Sequence, residues 1–496
     1  MKTFIYSFIF LTSLVCFSQN EMKLKVSESQ EYRDKYYMFG DVLANYMSPS
    51  GITGVVRKRN RDMLFEAFDN NLNPIFKDLI KGELKEELVG YVSFDDEIKI
   101  FTVFSPKQKK RIVSYYVFNL ENLSIKKTQL FEVTLEKGSN SLFSNRKHQT
   151  NFAISPNGKF IALSTDNIKK NLNSYTIRVF DSNTLEEMTQ KSYNSHQDQY
   201  FELNDLFIDD KGNAFTLGKL FIDGKSQKKK NQANYTFIVN KITPNEVEKL
   251  EINLDSLHIK SLTFNNKGNQ LELLGFYSEK KVSNVKGTCV FVLNLDTFEL
   301  KNKHILYQLP QQVYQDLYGT QKAKKKKDKE LSNFKVDYVI NDSEGNSYWL
   351  AEQFYITYSY VNNGFGGYQT ITYHYDDILV LKFDSKGKLN WGRSIFKNAP
   401  VTSYNAFLKD DYLHVILNSG KNLTIKSDGR TKVSKGWLES TALYDFVYSE
   451  NGDVSYNKIQ DNKGNSFYRP YLGTFFNNRF IMMSAISLKR RFMVLE

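Results

Sequence analysis

Residues 152–193, FAISPNGKFIALSTDNIKKNLNSYTIRVFDSNTLEEMTQKSY, read as four short antiparallel strands. Over 160–163 and 175–180, apolar, β-branched and aromatic residues dominate runs of strand length. Between the first two strands stands Ser155-Pro156-Asn157-Gly158, where proline presets φ and Asn and Gly accept the left-handed conformation of a tight reversal. Asp181-Ser182-Asn183-Thr184 reverses the chain between the last two strands with side-chain acceptors. A sheet of this size buries too little apolar surface to be stable alone, so it must pack against sheets like itself.

Looser copies of the stretch recur. A unit at 88–135 precedes it, and others follow at 200–252, 258–307 and 334–396. The first-hairpin glycines are Gly158, Gly212, Gly268 and Gly345, spaced by 54, 56 and 77 residues; the last spacing drops to 51 once a basic insertion at 308–333 is set aside. Alternation begins at Gly54, whereas 22–50 is hard to read, with near-helical apolar spacing from Tyr32 to Tyr46. Beyond 402, first-hairpin patterns recur around Asp410 and Asn477, and Ser449-Glu450-Asn451-Gly452-Asp453 fits either a first or a second hairpin.

Ile154-Ser155-Pro156-Asn157-Gly158-Lys159, followed by Val179-Phe180-Asp181, resembles the blade repeat of TolB-type and YVTN-type β-propellers. Later copies such as Phe383-Asp384-Ser385-Lys386-Gly387-Lys388 look like the hairpins of other secreted propeller repeats, WD40-like in plan. The resemblance implies an all-β propeller of four-stranded antiparallel blades. These families share no single activity, so no catalytic residue carries over. Seven blades are expected, with eight as the alternative. A ring must close to remove its sheet edges, and the N-terminal segment is expected to supply the missing strand.

Residues 1–18 read as a cleaved secretory signal, with Lys2 before an apolar run and small residues at Cys16 and Ser18; lipidation at Cys16 is the rival reading. Residues 19–496 then form one propeller domain, secreted or periplasmic, with no other apolar stretch near the length of about 18 needed to span a membrane. Cys289 is left alone in an apolar strand pattern and reads as a buried small hydrophobe.

Strand polarity makes the sequence informative about function. With strands a to d running from the axis outward, the a–b and c–d turns lie on one face. The b–c connections and the links between blades lie on the other. The long insertions 166–174, 219–234, 278–288 and 356–376 are b–c connections, and 308–333 is a link. These 83 residues carry a net charge of +9, out of the +11 that remains once Lys2 leaves with the signal. Insertions gathered on one face of a repeat array often mark its binding face. The basic candidates are Lys228, Lys229, Lys230, Lys324, Lys325, Lys326 and Lys327. In 356–376 two alternating arms meet at a Gly-rich tip, which makes Tyr358, Tyr360, Phe365, Tyr368, Tyr373, His374 and Tyr375 candidates for sugar or peptide recognition.

No zinc His-Glu-x-x-His, nucleophile turn or phosphate loop occurs, and the Asp-x-x-Gly turns lack the series of acids that calcium requires. No cofactor or metal is implied. The basic runs lack interleaved aromatics, which argues against nucleic acid. The sequence therefore points to a binding or scaffold protein for a macromolecular, anionic partner, protein or polysaccharide. Two other readings stand beside it: a glycan- or peptide-acting enzyme with acids around the central channel, and a structural component of an envelope assembly.

Overall fold

In the computed structural model the chain forms eight antiparallel four-stranded sheets set as blades around an axis. The structure describes residues 23–496 except 107–109, 135–149, 170–171, 194–198, 231, 281–283, 302–303, 327–328, 363–366, 398–403, 429, 434–439 and 486. Side chains of 168–169, 172, 355–374 and 432 are likewise outside the description. The expected signal, with Cys16, lies outside the described residues.

Blades 1 to 7 span 41–81, 87–134, 150–193, 201–252, 258–308, 334–395 and 404–461, each hydrogen-bonded in the order a-b-c-d. Blade 8 takes Thr474–Phe476, Arg479–Met483 and Phe492–Leu495 from the C-terminus and Val26–Glu28 as its outermost strand. The a strands of neighbouring blades touch, and that of blade 8 meets that of blade 1. The ring is therefore closed by the N-terminal segment, as expected, and it has eight blades, the alternative to the favoured seven. Beyond 402 the sequence leaves the count open: the hairpins at Asp410 and Asn477 open blades 7 and 8, and Ser449–Asp453 is the second hairpin of blade 7. At the other end blade 1 begins before Gly54, at Asp41–Met47, within the stretch that read as near-helical. A bulge between Val42 and Ala44 shifts the register there and breaks the period of two that marks a strand.

Each seam between blades holds its own apolar cluster, eight in all among the described residues. The seam of blades 4 and 5, for example, interleaves Phe207, Phe215 and Phe237 with Leu271, Leu273 and Phe291. The stacking requirement read from the sequence is met by these clusters, since no blade buries both faces without its neighbours.

On the turn face a second device repeats. Lys99 of blade 2 donates to the Ser182 and Asn183 carbonyl oxygens of blade 3, at 3.0 and 3.2 Å. Lys191 of blade 3 donates to the Asn245 carbonyl oxygen of blade 4 at 2.9 Å. Lys241 reaches the Asp296 carbonyl oxygen at 3.4 Å, and Lys382 that of Glu450 at 3.5 Å. Each lysine ties its blade to the c–d turn of the next. The acidic turn residues are also engaged locally. Asp209 Oδ1 accepts from Lys211 N at 2.9 Å and Asn213 N at 2.8 Å, and Asp342 Oδ1 accepts from Glu344 N and Asn346 N in the same way. These acids hold hairpins together.

Gly158 has φ +72° and nothing within 4 Å of where a Cβ would stand, whereas a Cβ on Gly275 would lie 1.8 Å from the Ser261 carbonyl oxygen. We expect Gly158→Val to lower stability by about 1–2 kcal/mol through backbone strain alone. Gly275→Ala should lower it further, because a backbone oxygen must move. Urea-unfolding midpoints of the two variants check the order.

Candidate binding face

Tracing each connection against the strand order puts the long ones on a single face. Blade 4 inserts 222–234 between strands b and c, including the small ribbon Lys228–Lys229 with Gln232–Ala233. Blade 5 inserts 279–286, and the link to blade 6 carries two helices, α1 (Gln311–Tyr318) and α2 (Thr320–Lys326). Asn284–Val285 pairs with Leu331–Ser332, so these two insertions are joined by backbone. Blade 7 adds 421–440, with a ribbon of Thr424–Ile425 and Thr431–Lys432 that the sequence did not reveal. Arg430 Nη1 of that ribbon donates to the Leu317 carbonyl oxygen at 2.9 Å, which ties it to α1. The segment 166–174 differs from the reading: Phe160–Lys169 and Leu172–Asp181 extend as paired strands, and little loop remains.

The basic candidates occupy two places on this face. Lys228, Lys229 and Lys230 are exposed on the blade 4 ribbon, where Lys229 pairs with Asp223. Lys324 and Lys325 are exposed on α2, around the buried Ala323, and Lys326 Nζ lies 3.9 Å from the Tyr318 ring centroid. Lys327 lies outside the described residues. The link is more than a charged loop. Val313, Tyr314 and Leu317 of α1 are buried in the seam of blades 5 and 6, and Arg393 Nε meets Asp316 at 2.8 Å. α1 thereby covers strand d of blade 6, which would otherwise present an open edge.

The tyrosine-rich arms are Ser347–Asn362 and Gly367–Phe383, paired out to Asn362 and Gly367. Register sets Tyr358, Tyr360, Tyr373 and Tyr375 at one parity of the ladder and Tyr368 and His374 at the other. Phe365 lies outside the described residues, as do the side chains of the other candidates here except Tyr375.

At the foot of the ribbon the fold gathers groups that no motif announced. Lys397 Nζ meets Glu352 Oε1 at 2.6 Å, both almost fully buried, and donates to the Tyr375 carbonyl oxygen at 2.7 Å. Lys397 N donates to Asp377 Oδ1 at 3.2 Å, and Tyr404 Oη donates to Asp337 Oδ2 at 2.8 Å. Burial pushes the Asp377 carboxyl up to about 7, with neighbouring Asp376 adding to the shift. Burial raises Glu352 and lowers Lys397, in both cases against the attraction between them. These residues come from five separate segments, so only Asp376-Asp377, two acids ahead of an apolar strand, left a trace in the sequence. His414 Nδ1 lies 2.9 Å from Asp445 Oδ2 inside blade 7, stacked on Phe407. Among the described residues no group of His, Cys, Asp or Glu is placed to hold a metal ion, and no helix is long and apolar enough to cross a membrane.

No protein-family model and no curated protein matches this sequence. Among solved structures, the WD40 domain of SCAP from fission yeast is 8% identical with a TM-score of 0.41, over 95% of this chain and 98% of that one. The β-propeller domain of the Trilobed protease from Pyrococcus furiosus is 10% identical with a TM-score of 0.38, over 86% of this chain and 100% of that one. A prolyl endopeptidase is 10% identical with a TM-score of 0.38 over 84% of this chain, which spans only 47% of that enzyme. The likeness is one of fold.

Asp377 yields a pH test. Its carboxyl titrates near 7 in the folded protein and near 3.9 when unfolded, so the folded state holds the proton more tightly. That contribution is complete below about pH 4 and is lost as pH rises through about 7. Across this window wild-type stability should fall relative to Asp377→Asn by at most about 1.4 kcal/mol per pH unit. Urea titrations at pH 5 and pH 8 compare the two; parallel behaviour would contradict the assignment.

Proposed function

We propose that this protein is an exported binding or scaffold protein whose insertion-bearing face recognises an anionic macromolecule, an acidic polysaccharide in preference to an acidic protein. The observation that carries the reading is the continuity of the basic segments. The blade 4 ribbon, the blade 5 insertion and the link with α2 follow one another around the ring, and the last two share a backbone ladder. Lys228, Lys230, Lys280, Lys322, Lys324 and Lys325 are exposed along this arc. On the opposite face, by contrast, Lys99, Lys191, Lys241 and Lys382 are engaged with turn carbonyls. An arc of one sign attracts and orients an extended polyanion. The tyrosine-rich ribbon of blade 6 stands next in order, and phenolic rings with polar tips suit sugar faces. The signal-like N-terminus supports export to where such polymers occur.

A hydrolytic role is the second reading, favoured by the carboxylates around Lys397. A carboxyl that titrates near neutrality is the state a general acid needs.

Replacing Lys228, Lys229, Lys230, Lys324 and Lys325 with Ser should weaken binding to a sulfated polysaccharide by roughly tenfold or more at physiological salt, where exposed charges are screened over about 8 Å. Biolayer interferometry on immobilised polymer measures this. Affinity equal to wild type would rule out the basic arc.

A further inference from the structure

Two lysines at the seam of blades 4 and 5 have no carboxylate partner among the described residues. Lys219, on strand b of blade 4, stands opposite Glu202 in the ladder. Its Nζ instead donates to Gln227 Oε1 at 3.0 Å, while Gln227 Nε2 donates to Glu202 Oε2 at 3.3 Å. The same Nζ lies over the rings of Tyr235 and Phe237, 4.2 and 5.5 Å from their centroids. Tyr235 Oη donates to the Ile259 carbonyl oxygen at 3.0 Å, which fixes the neighbouring Lys260 against this seam. Lys260 Nζ donates to the Phe334 carbonyl oxygen of blade 6 at 2.7 Å.

An ammonium has three N–H groups, and each lysine uses one on a neutral oxygen. The two like charges are thus neighbours at one partly desolvated seam, linked through the Tyr235–Ile259 contact, with aromatic rings beneath Lys219. Burial pushes both ammonium groups down, each to about 8; Glu202 opposes the shift at Lys219, and the charge of Lys219 adds to it at Lys260. Such a pair is unfavourable without a counter-ion, and a bound anion would relieve both the repulsion and the lost hydration.

The geometry points to an oxyanion subsite between Lys219 and Lys260 that takes one acid group, sulfate or carboxylate, of a polysaccharide lying across the basic arc. This rests on the function proposed above. Gln227, which holds Lys219, belongs to the same connection as Lys228, Lys229 and Lys230, so an acid group at the subsite leaves the polymer beside that ribbon. The subsite is part-buried and the ribbon exposed, so the first confers selectivity and the second encounter.

The test is calorimetric titration of the full chain with a sulfated dextran oligosaccharide, an oligogalacturonate and a polyglutamate of matched length, at pH 7 and pH 9. Wild-type affinity for one of the two saccharides should fall about tenfold or more between these pH values, because binding then requires uptake of protons. Affinity carried by exposed lysines alone would hold, since an ordinary lysine titrates near 10.4. Lys219→Met with Lys260→Met should lower affinity at least tenfold at pH 7 and flatten the pH dependence. Lys219→Arg with Lys260→Arg, which stays charged and guards against a folding artefact, should bind at pH 9 as at pH 7. Sulfate and carboxylate sources are told apart by which saccharide shows these losses; polyglutamate showing them instead would overturn the polysaccharide class. A double Met variant that binds like wild type, with the same pH profile, would overturn the subsite while leaving the basic arc standing. Wild type that binds none of the probes would overturn both.

Discussion

Closure of the ring rests on one buried carboxylate. Val26–Glu28 pairs with Phe492–Leu495 over only three residues, too few to hold a sheet edge alone. Just beyond, Asp34 Oδ2 lies 2.9 Å from Arg57 Nη1 of blade 1 and 2.8 Å from Arg490 Nε of blade 8. Glu66 meets Arg57 at 2.7 Å, and half-buried Lys77 meets Glu66 at 3.2 Å. Asp34 and Glu66 hold Arg57 above its ordinary range, whereas burial and the charge of Arg57 lower Arg490. Such a cluster adds less to net stability than its short distances imply, because Asp34, Arg57, Glu66 and Arg490 are all desolvated. Its effect is specificity: removing the carboxylate would leave buried Arg490 without an ion-pair partner among the described residues and Arg57 with Glu66 alone, which disfavours any other meeting of the first and last blades.

Once the ring is closed, strand polarity does the rest. Alternating antiparallel strands send a–b and c–d turns to one face, and there Lys99, Lys191, Lys241 and Lys382 and the turn acids Asp209 and Asp342 are absorbed into seams and hairpins. The same residue type is left exposed on the other face, where α1 packs on blades 5 and 6 and backbone pairing and Arg430 tie neighbouring insertions to the link. A lysine-rich composition therefore divides into a structural population and an available one, and only the fold tells them apart.

How much of this was legible follows from how local each signal is. Residues 152–193 announced four strands because each turn sits beside the strands it joins, and Gly158, Gly212, Gly268 and Gly345 all adopt positive φ. Strand Asp41–Met47 was hidden by a bulge, which disturbs the periodicity a reader relies on. The tyrosine arms were visible as alternation. By contrast, the grouping of Glu352, Asp377 and Lys397, the meeting of Asp34 with Arg490, and the approach of Lys219 to Lys260 arise from segments far apart in the chain. No spacing rule reaches across them.

The central claim is that one face alone receives the polymer. Lysine footprinting by acetylation, with and without a sulfated oligosaccharide, tests it most directly. The account predicts protection of Lys228, Lys230, Lys280, Lys322, Lys324 and Lys325, with Lys159, Lys211 and Lys386, all exposed on the turn face, modified equally in both samples. Protection spread over both faces, or confined to the turn face, would contradict it.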